Sequence, residues 1–143
     1  MRVKGREYMA GEILSKKWLR RGVILDRTVV LDFDGVIHSY SSGFKGVDVI
    51  PDPPVPGIKE AIEKIRKQYR VVVVSTRCFE ERGLAAIKEW LDRQEIIVDD
   101  VVSHKPPAIV YIDDRAITFD GDAGALPDKI KRFKPWYKKS GNK

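Results

Sequence analysis

The stretch VVLDFDGVIHSY, residues 29–40, runs three apolar residues of a buried strand straight into two carboxylates, Asp32 and Asp34, one residue apart. A carboxylate at the end of a buried strand is costly unless a proton, a metal or a partner compensates it. Two further apolar runs show the same pattern: RVVVVST (70–76) leads into Ser75-Thr76-Arg77, and AIVYIDD (108–114) leads into Asp113-Asp114-Arg115. With TVVLDF (28–33) they are nearly continuous Val/Ile/Leu runs, which predicts central strands buried on both faces of a parallel sheet.

Between the first two runs, PGIKEAIEKIRKQY repeats Ile58, Ile62, Ile65 and Tyr69 at helical spacing; after the second, FEERGLAAIKEWLDRQ repeats Leu84, Ile87, Trp90 and Leu91. The order strand, helix, strand, helix, strand predicts an α/β fold. Residues 38–57, rich in Gly, Ser and Pro, read as a loop with a short hairpin about Ser42-Gly43, and IIVDDVVSH (96–104) as an edge strand or short extended piece. LPDKIKRFKPWYKK reads as a last short helix cut at Pro135, with Phe133, Trp136 and Tyr137 free to pack on the body.

Ligands of such sheets bind beyond the carboxyl ends of the strands. One crevice would therefore collect four carboxylates, the Ser75 hydroxyl, Lys105 and arginines. A cluster of that kind needs a hard cation, and magnesium prefers oxygen ligands while keeping waters that a phosphate can displace.

The sequences DFDGV, VVVVST ending at Ser75, SHKPP with Lys105, and YIDD occur in the order of the four motifs of the haloacid dehalogenase (HAD) superfamily of phosphotransferases. The chain resembles that family from Asp32 to Asp114. The resemblance implies a three-layer, Rossmann-like fold with a central, mainly parallel sheet. It also implies a Mg2+-dependent phosphomonoester hydrolase acting through an aspartyl phosphate. Asp32 would be the nucleophile. Asp34 would be the general acid and base, with its backbone carbonyl on the metal. Ser75 and Lys105 would hold the phosphoryl oxygens. Asp113 and Asp114 would complete the magnesium shell. Gly35 would permit the turn after the first motif, and with Thr76, Arg77 and Arg115 it makes up the substrate-binding set.

The gaps 35–70 and 78–104 leave no room for a cap domain, so the crevice is expected to be open unless the loop or a second copy of the chain in a homo-oligomer covers it. The S-x-R and DDR forms of the second and fourth motifs are similar to the 3′-phosphatase domain of phage-type polynucleotide kinases. This implies nucleotides or nucleic-acid 3′-phosphate ends as substrates.

Other readings of these residues fare less well. An EF-hand starting at Asp32 would need Gly where Ile37 stands, no GxxxxGK[ST] exists, and the residue six after Cys78 is Leu84 rather than the arginine of a cysteine phosphatase. A receiver-like phosphoacceptor would carry its aspartate on the middle strand, which here ends Ser75-Thr76-Arg77. A non-catalytic phosphate- or nucleic-acid-binding module of the same fold remains the alternative. His38 and Lys45 lie on the loop after the first motif and are candidates for substrate contact, although surface residues of such a loop usually make none.

At 143 residues, 43% hydrophobic and 34% charged, the chain has the length and balance of one soluble domain. No apolar run approaches the ~18 residues of a membrane helix. The basic N-terminus has no apolar signal core, so a cytoplasmic protein without membrane contact is expected. One cysteine excludes an internal disulfide, and with two histidines it cannot build a typical zinc cluster. Charge is uneven: residues 1–22 carry seven Lys and Arg against two Glu, residues 128–143 seven against one Asp, and the middle thirteen against eighteen acids. This divides the chain into a basic N-terminal segment (1–22) and a HAD-like domain (23–143) with a basic end. Such ends are either solvated tails or attractors of a polyanion such as nucleic acid.

Overall fold

The computed structural model describes residues 27–138. The basic segment 1–22 lies outside the described residues, as does the last part of the basic C-terminal stretch, 139–143. Four strands form one all-parallel sheet: β1 (Thr28–Asp32), β2 (Arg70–Val74), β3 (Asp100–Val102) and β4 (Val110–Ile112). Among the described residues three α-helices accompany them: α1 (Ile58–Arg66), α2 (Glu81–Arg93) and α3 (Leu126–Arg132). No helix among the described residues is long and apolar enough to cross a membrane.

Register explains where the core lies. Val29 pairs with Val71, Leu31 with Val73, and Val73 with Val101, so these side chains share one face of the pleat. Ile62 of α1 and Ile87, Trp90 and Leu91 of α2 close over that face. Phe33, one residue past β1, stands edge-on to Trp90 with ring centroids 5.2 Å apart and planes at 88°. Val30 and Val72 on the opposite face are buried as well. The sheet is thus of the Rossmann-like kind, with α1 and α2 on one face, while α3 buries no residue.

The strand order is β3-β2-β1-β4. The chain steps outward from β1 through β2 to β3, then returns past its starting strand to lay β4 on the other side. The sequence expectation holds for β1 and β2 and for β3 as an edge strand, but 108–114 is not a central strand. β4 stands at the sheet edge, pairs with β1 alone among the described residues, and leaves Val110, Tyr111 and Ile112 exposed. An apolar run says that a strand is favoured there; its place in the sheet depends on what the rest of the chain lays beside it.

The expected hairpin about Ser42-Gly43 is a turn, with the Gly43 N–H donating to the Tyr40 carbonyl over 3.1 Å. It sits inside a wider loop whose ends are tied together by Ser39 N–H to Pro53 O (2.9 Å) and Val55 N–H to Ile37 O (2.8 Å). Helix α2 can approach this region because Gly83 has no side chain: a Cβ there would lie 2.0 Å from the Arg77 carbonyl oxygen.

Trp90 is 2% exposed and contacts both Phe33 and His38. Trp90→Ala should therefore lower unfolding free energy by about 3–5 kcal/mol, measured by urea denaturation; a loss under about 1 kcal/mol would show that this aromatic contact does not hold α2 to the sheet.

Candidate active site

The sheet order reverses between β1 and β4, and ligands of open parallel sheets bind beyond the strand ends at such a switch point. Asp32 is the last residue of β1, and Asp113 and Asp114 follow β4 directly. Their carboxylate oxygens lie within 4.8 Å of one another. Burial, the hydrogen bond with Asp114 and the charges of Asp113 and Asp114 push the Asp32 carboxyl up to about 8, against the opposing Phe33 backbone hydrogen bond. Three half-buried carboxylates at this spacing repel one another, and a hard divalent cation with several oxygen ligands would relieve all three at once. By donor type and spacing the trio could hold such a cation.

Two further contacts fix the trio. Asp113 Oδ1 accepts from the Arg115 backbone N–H over 2.8 Å, and Asp114 Oδ2 accepts from the Tyr137 hydroxyl over 2.8 Å. Trp136 Nε1 donates to the Gly35 carbonyl over 2.7 Å, which lays the C-terminal segment over the first loop. Gly35 has φ +84°, and a Cβ there would lie 2.3 Å from Asp114 Oδ2 and 2.9 Å from Tyr137 Cε2. Glycine is required twice over, for the turn and for the approach of the Asp114 carboxylate.

Asp34 stands apart from the trio. Its Oδ2 accepts from Arg77 Nε (2.8 Å), and its Oδ1 accepts from Arg77 Nη2 (3.2 Å) and from His38 Nδ1 (2.8 Å). The His38 tautomer follows from its other nitrogen, because Nε2 accepts from the Asp52 backbone N–H (3.1 Å) and the ring proton is thereby assigned to Nδ1. Burial opposes ionisation of Asp34, but the hydrogen bonds from His38 and Arg77 and the Arg77 charge outweigh it and hold this carboxyl below the usual range. Two aspartates one residue apart are thus driven in opposite directions, as in sites where acid and base roles are divided.

Arg77 is 2% exposed and every guanidinium nitrogen is engaged. Besides Asp34, its Nη1 donates to the carbonyls of Gly46 (2.8 Å), Val47 (2.9 Å) and Val49 (3.2 Å). The residue expected to bind substrate is here the post that holds the loop to the end of β2. Ser75 is buried; its Oγ accepts from the Arg77 N–H (3.1 Å), which leaves the hydroxyl proton available to an anion. Thr76 is exposed beside it. Lys105 is exposed, with its ammonium 4.8 Å above the Tyr111 ring and no ion pair to a described carboxylate. Arg115 is exposed and reaches the Tyr137 hydroxyl, which raises its pKa.

Asp32, Asp113, Asp114, Gly35 and, through Tyr137, Arg115 are therefore brought together; Asp34 and Arg77 form a second cluster, and Lys105 is not shown at either. His38, read from the sequence as a surface residue of the loop, is instead fully buried between Phe33 (5.5 Å), Trp90 (5.6 Å) and Tyr40 (6.0 Å). Sequence reasoning missed the hydroxyl contact of Tyr137. The only signal for Tyr137 was an aromatic pair in an otherwise basic tail; for His38 there was none beyond its place four residues after Asp34. No family model matches the chain, and neither a curated protein nor a solved structure is significantly similar to it.

The network continues to Asp52, whose carboxylate accepts from Ser42 Oγ (2.6 Å) and Ser42 N–H (2.8 Å). Burial opposes ionisation, but the Ser42 bonds hold Asp52 below its ordinary value of 3.8. A depressed carboxyl stabilises the fold fully above its unfolded value and loses that contribution as pH falls through the folded one. Asp52→Asn should flatten the loss of stability as pH falls below about 4 relative to wild type, measured by urea unfolding at each pH. Parallel acid limbs would remove Asp52 from the account.

Proposed function

We propose that this chain is a Mg2+-dependent phosphomonoester hydrolase with a three-layer, HAD-like fold without a cap, working in the cytoplasm on nucleotides or nucleic-acid 3′-phosphate ends. The observation that carries the reading is the convergence of Asp32, Asp113 and Asp114 at the β1/β4 switch point. Bound magnesium would neutralise the phosphoryl oxygens and keep the three carboxylates ionised.

In this reading an Asp32 oxygen attacks phosphorus. The bond between phosphorus and the ester oxygen breaks, and the leaving oxygen takes a proton from Asp34. Asp34 then removes a proton from water, which attacks the aspartyl phosphate, restores the Asp32 carboxylate and releases inorganic phosphate. Asp34 rests ionised against Arg77 and His38, so it is prepared for the second step; for the first, an incoming dianion must lift its proton affinity. The free hydroxyl proton of Ser75 suits a phosphoryl oxygen. Lys105 would have to leave the Tyr111 ring to reach one.

A second reading, a non-catalytic phosphate- or nucleic-acid-binding module, is favoured by one observation: both oxygens of Asp34 already accept hydrogen bonds, from Arg77 and His38.

Turnover of p-nitrophenyl phosphate separates the two. The enzyme reading expects hydrolysis that EDTA abolishes and Mg2+ restores, loss to background in Asp32→Asn, and a fall of roughly 10²–10⁴-fold in Asp34→Asn. Binding of fluoroberyllate or phosphate with Mg2+ but no turnover would establish the module instead. Wild-type turnover in Asp32→Asn would rule out the aspartyl phosphate.

A further inference from the structure

The two edges of the sheet are finished differently. Val71 turns its N–H and C=O to the β3 side, where they meet the Asp99 carboxylate (2.8 Å) and the Asp99 N–H (2.9 Å). Backbone groups alternate sides along a strand, and of two residues in register in a parallel pair only one faces its partner strand. Val73 therefore faces β3, and Val101, in register with it, faces outward. The Asp100 carboxylate takes the Val101 N–H over 2.8 Å, so this edge is closed by its own side chain. On the other side Val72 faces β1, Val30 in register with Val72 faces β4, and Tyr111 in register with Val30 faces outward. Among the described residues nothing takes the Tyr111 N–H or C=O.

The open edge is also apolar. Ile109, Val110, Tyr111 and Ile112 are each between 38% and 48% exposed, and this run contains no lysine, proline or acid of the kind that blunts an edge. The Tyr111 hydroxyl donates to the Pro106 carbonyl over 2.8 Å, which ties the ring to the crossover before the strand. Past the strand, Arg115, Ile117, Ile130 and Phe133 line a hollow of about 230 Å³ that carries the apolar surface onward. The flanks differ in sign, because Lys105 precedes the run and Asp113 and Asp114 follow it. An antiparallel neighbour of the same sequence sets each basic flank beside the other's acidic one, whereas a parallel neighbour would set like against like.

We propose that β4 is the interface of a homodimer in which two copies of this chain pair antiparallel about a two-fold axis at Tyr111. The Tyr111 N–H of each copy then donates to the C=O of the partner's Tyr111, and Val110 and Ile112 oppose each other across the axis. A two-fold interface must be self-complementary, and a central outward-facing residue with apolar neighbours on both sides meets that condition. The two four-stranded sheets become one sheet of eight. Antiparallel pairing turns the strand ends in opposite directions, so the two carboxylate trios lie at opposite ends of the joined sheet and neither copy covers the other's crevice. The pairing is independent of what the trio does.

Light scattering on the full chain should show the mass rising from 16.3 kDa toward twice that value across the micromolar range. Tyr111→Pro removes the outward donor while sparing the β1 ladder, and Val110→Lys places a charge at the edge; each should raise the dissociation constant roughly tenfold or more. Circular dichroism melts identify a variant that fails to fold. Val110→Cys and Ile112→Cys, each with Cys78→Ser, test the register by a milder change. Opposed residues stand about 4.5 Å apart at Cα and can form a disulfide, whereas each of these residues lies about 8 Å from its own symmetry mate and cannot. Oxidation of the two variants mixed should give a linked dimer on a non-reducing gel, and oxidation of either alone should not. A wild-type chain that stays monomeric up to about 1 mM would overturn the proposal. Protection of the Tyr111 amide from hydrogen exchange in that monomer would give the edge to another segment of the same chain. A dimer that neither Tyr111→Pro nor Val110→Lys weakens, or one whose mixed cysteine variants do not link, would overturn it in favour of another face or register.

Discussion

The Arg77 guanidinium is the interaction on which the rest of this site depends. A cation buried to 2% exposure is tolerated only if its charge is met and all its donors are used. Asp34 supplies the charge and accepts from Nε and Nη2, and the carbonyls of Gly46, Val47 and Val49 accept from Nη1, so every guanidinium nitrogen is engaged. Removing the arginine would therefore strand three carbonyls and leave the half-buried Asp34 carboxylate with His38 alone. Because Arg77 lies just past β2 and Asp34 just past β1, this one side chain ties the ends of two strands to the loop that roofs them. Gly83 makes that possible by letting α2 pass against the Arg77 carbonyl.

Two aspartates separated by a single residue experience opposite surroundings. At Asp32, burial and neighbouring acids favour the proton; at Asp34, His38 and Arg77 favour the anion. The end of β1 between them explains the divergence. Asp32 ends a strand flanked on one side by β4, which delivers Asp113 and Asp114, whereas Asp34 has already entered the turn and faces the β2 side. A strand order that placed β4 elsewhere would leave Asp32 without its companions.

Much of this was legible in the sequence. The Val-rich runs at 28–32 and 70–74 specify strands because β-branched residues suit a pleated, fully buried surface, and the Ile62 and Trp90 stripes specify the helices that cover them. The run 108–114 was legible as a strand but not as an edge, since the same residues satisfy either place until the crossover is known. Asp32, Asp113 and Asp114 could be grouped from their positions at strand ends. Arg77 could be placed near them, but its role could not be read, because the carbonyls it binds come from a loop with no periodic pattern. His38 and Tyr137 were hidden for the same reason: their partners lie in turns, where backbone geometry rather than side-chain order decides who meets whom.

The hydrogen bond from Trp136 to Gly35 joins residues 101 apart in the chain, and the β1–β4 pairing also closes a long loop. Contacts of such separation repay their loop-closure entropy only after the nearer elements are in place. The β1-α1-β2-α2-β3 unit can form through shorter-range pairings, with Arg77 and Asp34 joined early across 43 residues. The carboxylate trio cannot exist until β4 docks on the far side of β1, and its cover cannot exist until the aromatic pair near the C-terminus arrives. Loop-closure entropy thus favours forming the scaffold before the carboxylates converge, so that their mutual repulsion would be met by a framework already able to bear it.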